Sequence, residues 1–147
     1  MSYESWHKNF ADKHKVIVDK LLKRGLSEEK IIDYFDFDNM VKEENDFCPL
    51  YKDNKKCHDM KELNCYLCAC PNFRFNDDGI KTYNDKKIMS ECDINNGDKF
   101  AGAGVIHQDC SSCTVPHHKA YVKKNFDLDW KKIMHNCNLN GKITKEN

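Results

Sequence analysis

The sequence predicts a small α-plus-irregular fold, in which an N-terminal helical hairpin packs on a metal-stabilised, loop-rich cysteine module. Three observations predict it. Residues 1–46 contain no cysteine and carry apolar side chains at helical spacing. Residues 47–122 hold eight of the nine cysteines among Asn, Asp, Gly and Lys, which is loop chemistry. The 147-residue chain is only 39% apolar, with a mean hydropathy of -0.83, so its core is lean. Metal is expected to supply folding free energy that burial does not. The organisation read from this is a helical region at 1–46, a cysteine module at 47–122, and a C-terminal helix and tail at 123–147.

In the first region Phe10, His14, Ile17 and Leu21, with Val18 and Leu22 beside them, step by three and four and share a helix face. Gly25 suits the C′ position that ends this helix. Ser27 follows as an N-cap, with Glu28 and Glu29 in the first turn, where negative charge suits the helix dipole. Leu26 and Ile31 stand at the positions of a hydrophobic staple. A third short helix is predicted from Asp38 to about Glu44. The pattern of helix, turn and helix also fits a DNA-reading motif, but Ser27 to Phe35 carries one Lys and two Glu, poor material for a recognition helix.

Within the module, Asp59-Met60-Lys61-Glu62 has the form of a capping box and predicts one helical turn before Cys65. Residues 76–104, with Asn95-Asn96-Gly97 and Gly102-Ala103-Gly104, predict an irregular insertion holding at most a short hairpin. Asp127 or Asp129 caps a last helix through Trp130, Ile133 and Met134. The tail from Asn140 to Asn147 is expected to fray.

The charge is balanced, with 24 Lys plus Arg against 24 Asp plus Glu. A generic binder of nucleic acid or of an anionic membrane needs a basic excess, so neither partner is expected. No apolar run reaches the roughly 20 residues of a membrane span, and the start lacks the apolar core of a signal peptide. The chain is read as soluble and cytoplasmic. In a reducing cytosol, clustered cysteines point to metal thiolates rather than disulfides.

The strongest motif is Asn64-Cys65-Tyr66-Leu67-Cys68-Ala69-Cys70-Pro71. Two thiolates separated by two residues fold around one tetrahedral ion, and backbone N–H groups in the turn support the sulfurs. Asp109-Cys110-Ser111-Ser112-Cys113-Thr114-Val115-Pro116-His117-His118 repeats the spacing and adds an imidazole four positions later. Between Cys68 and Cys110 lie residues 69–109, a gap longer than the roughly 15–20 residues of a common zinc ribbon. The candidate metal ligands are Cys48, Cys57, His58, Cys65, Cys68, Cys70, Cys92, Cys110, Cys113 and His117. Ten donors exceed one zinc site. They imply two sites, or one site with spare thiols. One division places Cys65, Cys68, Cys110 and Cys113 in a first site and draws a second from Cys57, His58, Cys70, Cys92 and His117. Cys137, His7, His14 and His135 are read as non-ligands. Phe73-Arg74-Phe75 is read as core packing.

With those motifs in place, residues 46–122 resemble the cysteine-rich small domain family. The residues that carry the resemblance are Cys48, Cys57-His58, Cys65, Cys68, Cys70-Pro71, Cys92, Cys110, Cys113 and Pro116-His117, in that order. Members of the family occur alone and attached to enzymes of corrinoid biosynthesis. The resemblance implies metal binding without an established reaction. This chain departs from it by a longer gap between Cys48 and Cys57, and by helices outside the match.

The function expected is a zinc protein with about two ions, acting as a structural or interaction module for a protein partner or an enzyme. An iron–sulfur protein for electron transfer or redox sensing uses the same thiols and is the first alternative. A metal-dependent enzyme acting on a small molecule is the second.

Overall fold

The computed structural model describes residues 2–139, in a mixed fold of helices and two small sheets. The helices are α1 (Tyr3–Lys23), α2 (Glu28–Tyr34), α3 (Phe37–Glu43), α4 (Lys119–Lys124) and α5 (Trp130–Ile133). The strands are β1 (Phe73–Phe75), β2 (Lys81–Tyr83), β3 (Lys86–Ile88), β4 (Ser90–Cys92), β5 (Asp98–Gly102) and β6 (Val105–Asp109). The described residues form two compact units, each discontinuous in sequence. The first comprises residues 2–9, 69–113 and 134–139. The second comprises residues 10–68 and 114–133.

In the second unit the predicted face of α1 is buried at Ala11, His14, Ile17, Val18 and Leu21. Gly25 ends the helix as expected, at φ +78. Its N–H donates to the Leu22 carbonyl, and that of Leu26 donates to Leu21, the paired bonds of a Schellman closure. Ser27 Oγ then accepts from the Lys30 N–H at 3.3 Å and starts α2. Asp36 stands at the N-cap of α3. Rings fill the space between these helices. His14 stacks on Phe35 at 4.9 Å and meets Tyr66 edge-on at 4.4 Å. Phe35 and Tyr66 are themselves 4.8 Å apart. Asp129 Oδ1 accepts from the Lys131 N–H, capping α5 in the way the sequence suggested.

The buried imidazole of His14 gives this core a pH dependence. Its Nε2–H donates to the Tyr66 carbonyl at 3.1 Å. Burial lowers its pKa to about 3, against the opposing pull of that carbonyl. Below pH 6.5 the unfolded chain therefore takes up a proton that the folded chain refuses, so stability falls as pH drops from 6.5 towards 3. This residue alone should cost on the order of 2 kcal/mol between pH 7 and pH 5. Urea midpoints of the native protein and of His14→Phe at both pH values measure it, since all other pH effects are shared. An unchanged pH dependence in the variant would refute this assignment.

In the first unit, β1 pairs antiparallel with β4, placing Phe73 opposite Cys92. The larger sheet has the order β2-β3-β6-β5, with β3 and β6 parallel and the other pairs antiparallel. The start of α1 also belongs to this unit. Its first N–H groups, from Tyr3 and Glu4, are received by the Asp77 carboxylate at 2.7 and 3.1 Å. The Tyr3 ring lies 5.5 Å from both Phe73 and Phe75. Those two phenylalanines are buried, so they pack in the core as the sequence reading proposed.

Three expectations are corrected. The insertion at 76–104 is not irregular, because β2 and β3 join through Asn84-Asp85 and β5 and β6 through Ala103-Gly104. All four linking residues have positive φ, the requirement of a two-residue hairpin turn. Strands β2 and β5 are short, carry lysine and are exposed throughout, which hid the alternation. Asp59 to Glu62 forms no helix, since the Lys56 ammonium takes the carbonyls of Met60 and Lys61. Helix α4 was not anticipated. Val122 is its one fully buried side chain, too little for a periodic signal. The expected fraying of Asn140 to Asn147 lies outside the described residues. Among the described residues, no helix is long and apolar enough to cross a membrane.

Candidate metal centre

The centre begins with one short strand-like segment of the second unit. Asn64 is 1% exposed and forms an antiparallel bridge to Asp36. Its Nδ2 donates to the Ile32 carbonyl at 2.7 Å and to Asp36 Oδ1 at 2.9 Å. Its Oδ1 accepts from the Tyr66 N–H at 2.9 Å. The Cys65 N–H donates to the Phe35 carbonyl at 2.7 Å. The Cys65–Cys68 knuckle is thus tied to the end of α2. This role of Asn64 was missed, although the residue stands directly before the knuckle in the sequence.

Asn64 also sets the histidine. Its N–H donates to the His117 carbonyl at 2.9 Å, and its own carbonyl faces His117 Nδ1 at 2.9 Å. A carbonyl only accepts, so Nδ1 carries the proton and Nε2 keeps its lone pair. Fixing the tautomer through the second ring nitrogen is how metal-ligating histidines are prepared. His117 Nε2 lies 3.5 Å from Cys57 Sγ, and His58 Nδ1 lies 3.0 Å from the same sulfur. The three donor atoms all fall within 4.8 Å of one another. Bond lengths of about 2.3 Å for zinc–sulfur and 2.0–2.1 Å for zinc–nitrogen place tetrahedral S and N ligands roughly 3.6 Å apart. The Cys57–His117 separation fits that spacing, and the Cys57–His58 pair is tighter. Burial holds the His117 pKa below its ordinary value, which keeps the ring neutral.

Three more thiols of the same unit, Cys48, Cys65 and Cys68, interact electrostatically with Cys57. Cys57 is exposed as a residue, yet desolvation of its sulfur, with the sulfurs of Cys65 and Cys48, pushes its pKa up to about 11. Cys68 is raised well above the usual thiol value, first by its thiol hydrogen bond to Cys65 and then by burial. Cys65 is lowered, because the Cys68 thiol and the Tyr51 hydroxyl both favour its charged form. That hydroxyl is buried without an ordinary hydrogen bond to nitrogen or oxygen, and the Cys65 sulfur is its neighbour. Cys48 precedes the 3-10 turn Pro49–Asp53 that carries Tyr51. No sequence signal singled out Tyr51.

The candidate ligands therefore divide by unit. Cys48, Cys57, His58, Cys65, Cys68 and His117 belong to the second, while Cys70, Cys92, Cys110 and Cys113 belong to the first. The expected set Cys65, Cys68, Cys110 and Cys113 takes two members from each. No family model, curated protein or solved structure matches this chain. What the centre does rests on its own donors.

Other Cys and His side chains have different surroundings. Cys137 is buried, with its sulfur 3.9 Å from Met134 Sδ. His107 Nδ1 meets the Tyr3 hydroxyl at 2.6 Å, and its ring stacks on Phe100. His118 Nε2 faces Thr114 Oγ1 at 2.9 Å. A cleft of about 190 Å³ borders His117. Its lysines, Lys56, Lys61 and Lys119, are matched by Asp36, Asp38 and Glu62, so its charge favours neither anion nor cation.

Proposed function

We propose that this chain is a metal-binding protein, with zinc as its ion, that acts as a structural or interaction module. The observation that carries the reading is the Cys57, His58 and His117 donor group, gathered within 4.8 Å with the His117 tautomer already set. The nearby sulfurs of Cys48, Cys65 and Cys68 offer the further ligands that tetrahedral closure needs. A bound ion would cross-link the loop at 57–58, the knuckle at 65–68 and the 3-10 turn Val115–His117, segments distant in sequence. The resemblance to the cysteine-rich small domain agrees with metal binding, and the ten Cys and His donors suit about two ions per chain. The partner we propose is a protein, met through exposed apolar side chains such as Tyr83, Ile94 and Phe100. The balanced charge leaves little counterion release to favour nucleic acid. A cytoplasmic setting, which keeps the thiols reduced, belongs to the same proposal.

The test is metal content of Cys57→Ser and His117→Ala, each purified without oxygen. Both should lose one ion relative to the native chain, and His14→Phe should lose none. Full metal content in both ligand variants would remove the reading.

A further inference from the structure

The larger sheet of the first unit has an open edge. Its strand order, β2-β3-β6-β5, leaves β5 paired with β6 alone among the described residues. Every residue of β5 is exposed, and Phe100 is 53% exposed. The other side of β6 shows which backbone groups of β5 are in use. The Lys87 N–H donates to the Gly104 carbonyl at 3.0 Å, and the Met89 N–H donates to the Ile106 carbonyl at 2.8 Å. The Gln108 N–H donates to Ser90 Oγ at 2.8 Å. Gly104, Ile106 and Gln108 therefore turn these groups away from β5. Val105, His107 and Asp109 turn theirs towards it, where the register sets them opposite Gly102, Phe100 and Asp98. Those pairs exchange the ladder bonds. The N–H and C=O groups of Lys99 and Ala101 point the other way, off the edge of the sheet.

An edge of this kind accepts a further strand. The sequence of β5 suits its own copy. In an antiparallel pair about a two-fold axis, the outward groups of Lys99 and Ala101 must meet the same groups of the second copy. The registers that achieve this are centred on Lys99, on Phe100 or on Ala101. Centring on Lys99 sets two ammonium groups directly opposite one another, which is unfavourable. Centring on Ala101 runs the pair past Gly102 into the turn at Ala103-Gly104, where the strand has ended. Centring on Phe100 avoids both faults. Lys99 then lies opposite Ala101 of the second copy, Asp98 opposite its Gly102, and Phe100 opposite its Phe100. No like charges face each other, and two exposed rings cover one another. The opposite edge, β2, offers less. It has three residues, and its Lys81 is already paired with Glu91 at 3.3 Å.

We infer that β5 is a dimer interface, at which two copies of the chain join edge to edge, antiparallel about Phe100, into one continuous sheet. The inference rests on the protein partner of the reading above and identifies it as a second copy of this chain. It makes no use of the ion. The contact is the same on both copies and closes at two, so no longer assembly follows from it. A single strand pair is a small interface, which makes the dimer weak and dependent on concentration.

The test is analytical ultracentrifugation of the full chain, purified without oxygen, from about 10 µM to about 1 mM, the range in which a weak complex forms. The average mass should rise from 17.3 kDa towards twice that value and no further. Ala101→Pro removes an N–H that the β5–β6 ladder does not use, and should hold the chain at the monomer mass. Ile94→Ser changes an exposed apolar side chain outside the strand and should leave the dimer intact. Amide exchange of the native chain gives a readout that needs no variant. Exchange at Lys99 and Ala101 should slow at least about fivefold across the same concentrations, whereas Phe100, whose N–H is already in the ladder, should not change. A native chain that stays monomeric, a mass beyond the dimer, or a dimer that survives in folded Ala101→Pro would overturn the inference. If that variant does not fold, unchanged exchange at Lys99 and Ala101 overturns it. Zinc counted in the same samples separates the two readings. A monomer with its zinc overturns this inference alone, and a dimer without zinc overturns the metal reading alone.

Discussion

Removing the metal should unfold the chain rather than loosen it. A structural zinc contributes on the order of 10 kcal/mol to folding, which matches the whole stability of a domain, about 5–15 kcal/mol. The cysteine-bearing loops offer little in exchange. Between Cys48 and Leu63, Tyr51 is the one apolar side chain that is fully buried. Excess chelator should therefore abolish the near-ultraviolet circular dichroism and lower Tm by more than about 15 °C, taking roughly 2–4 °C for each kcal/mol lost. Readdition of zinc should restore both. Unchanged thermal stability after verified removal of metal would contradict the account.

The second large effect belongs to Tyr66, which ties the ring core to the knuckle. It is fully buried, and its ring meets His14, Phe35 and Phe126. Its hydroxyl donates to the Asp127 carbonyl at 2.6 Å. Tyr66→Ala removes an aromatic ring from a packed interior and should cost about 3–5 kcal/mol. Tyr66→Phe loses only the hydroxyl bond and should cost about 1 kcal/mol. Urea unfolding of both variants measures the difference. A loss below about 1 kcal/mol for Tyr66→Ala would show that this ring cluster does not hold the unit together.

The helical half of the fold was legible because its signals are local. The 3–4 spacing from Phe10 to Leu21, Gly25 past the helix end and Ser27 at the next start each act within a few residues. The sheets were not legible. Their strands are three to five residues long, and β2 and β5 are exposed throughout, so no buried alternation marks them. The residue types of the candidate site were also legible, whereas their grouping was not. Cys65, Cys68 and Cys70 form one run in the sequence, yet the two compact units divide it after Cys68. Ala69 and Cys70, on the far side, both take positive φ. No glycine announces that turn. Likewise, nothing in the spacing of His117 indicates that Asn64, 53 residues earlier, holds its ring towards Cys57.

The most direct test of the central claim is the metal content of the native chain, purified without oxygen and analysed for zinc, iron and acid-labile sulfide. The account predicts about two zinc ions per chain, with no iron and no sulfide. A chain free of metal, or a brown protein carrying iron and sulfide, would contradict it.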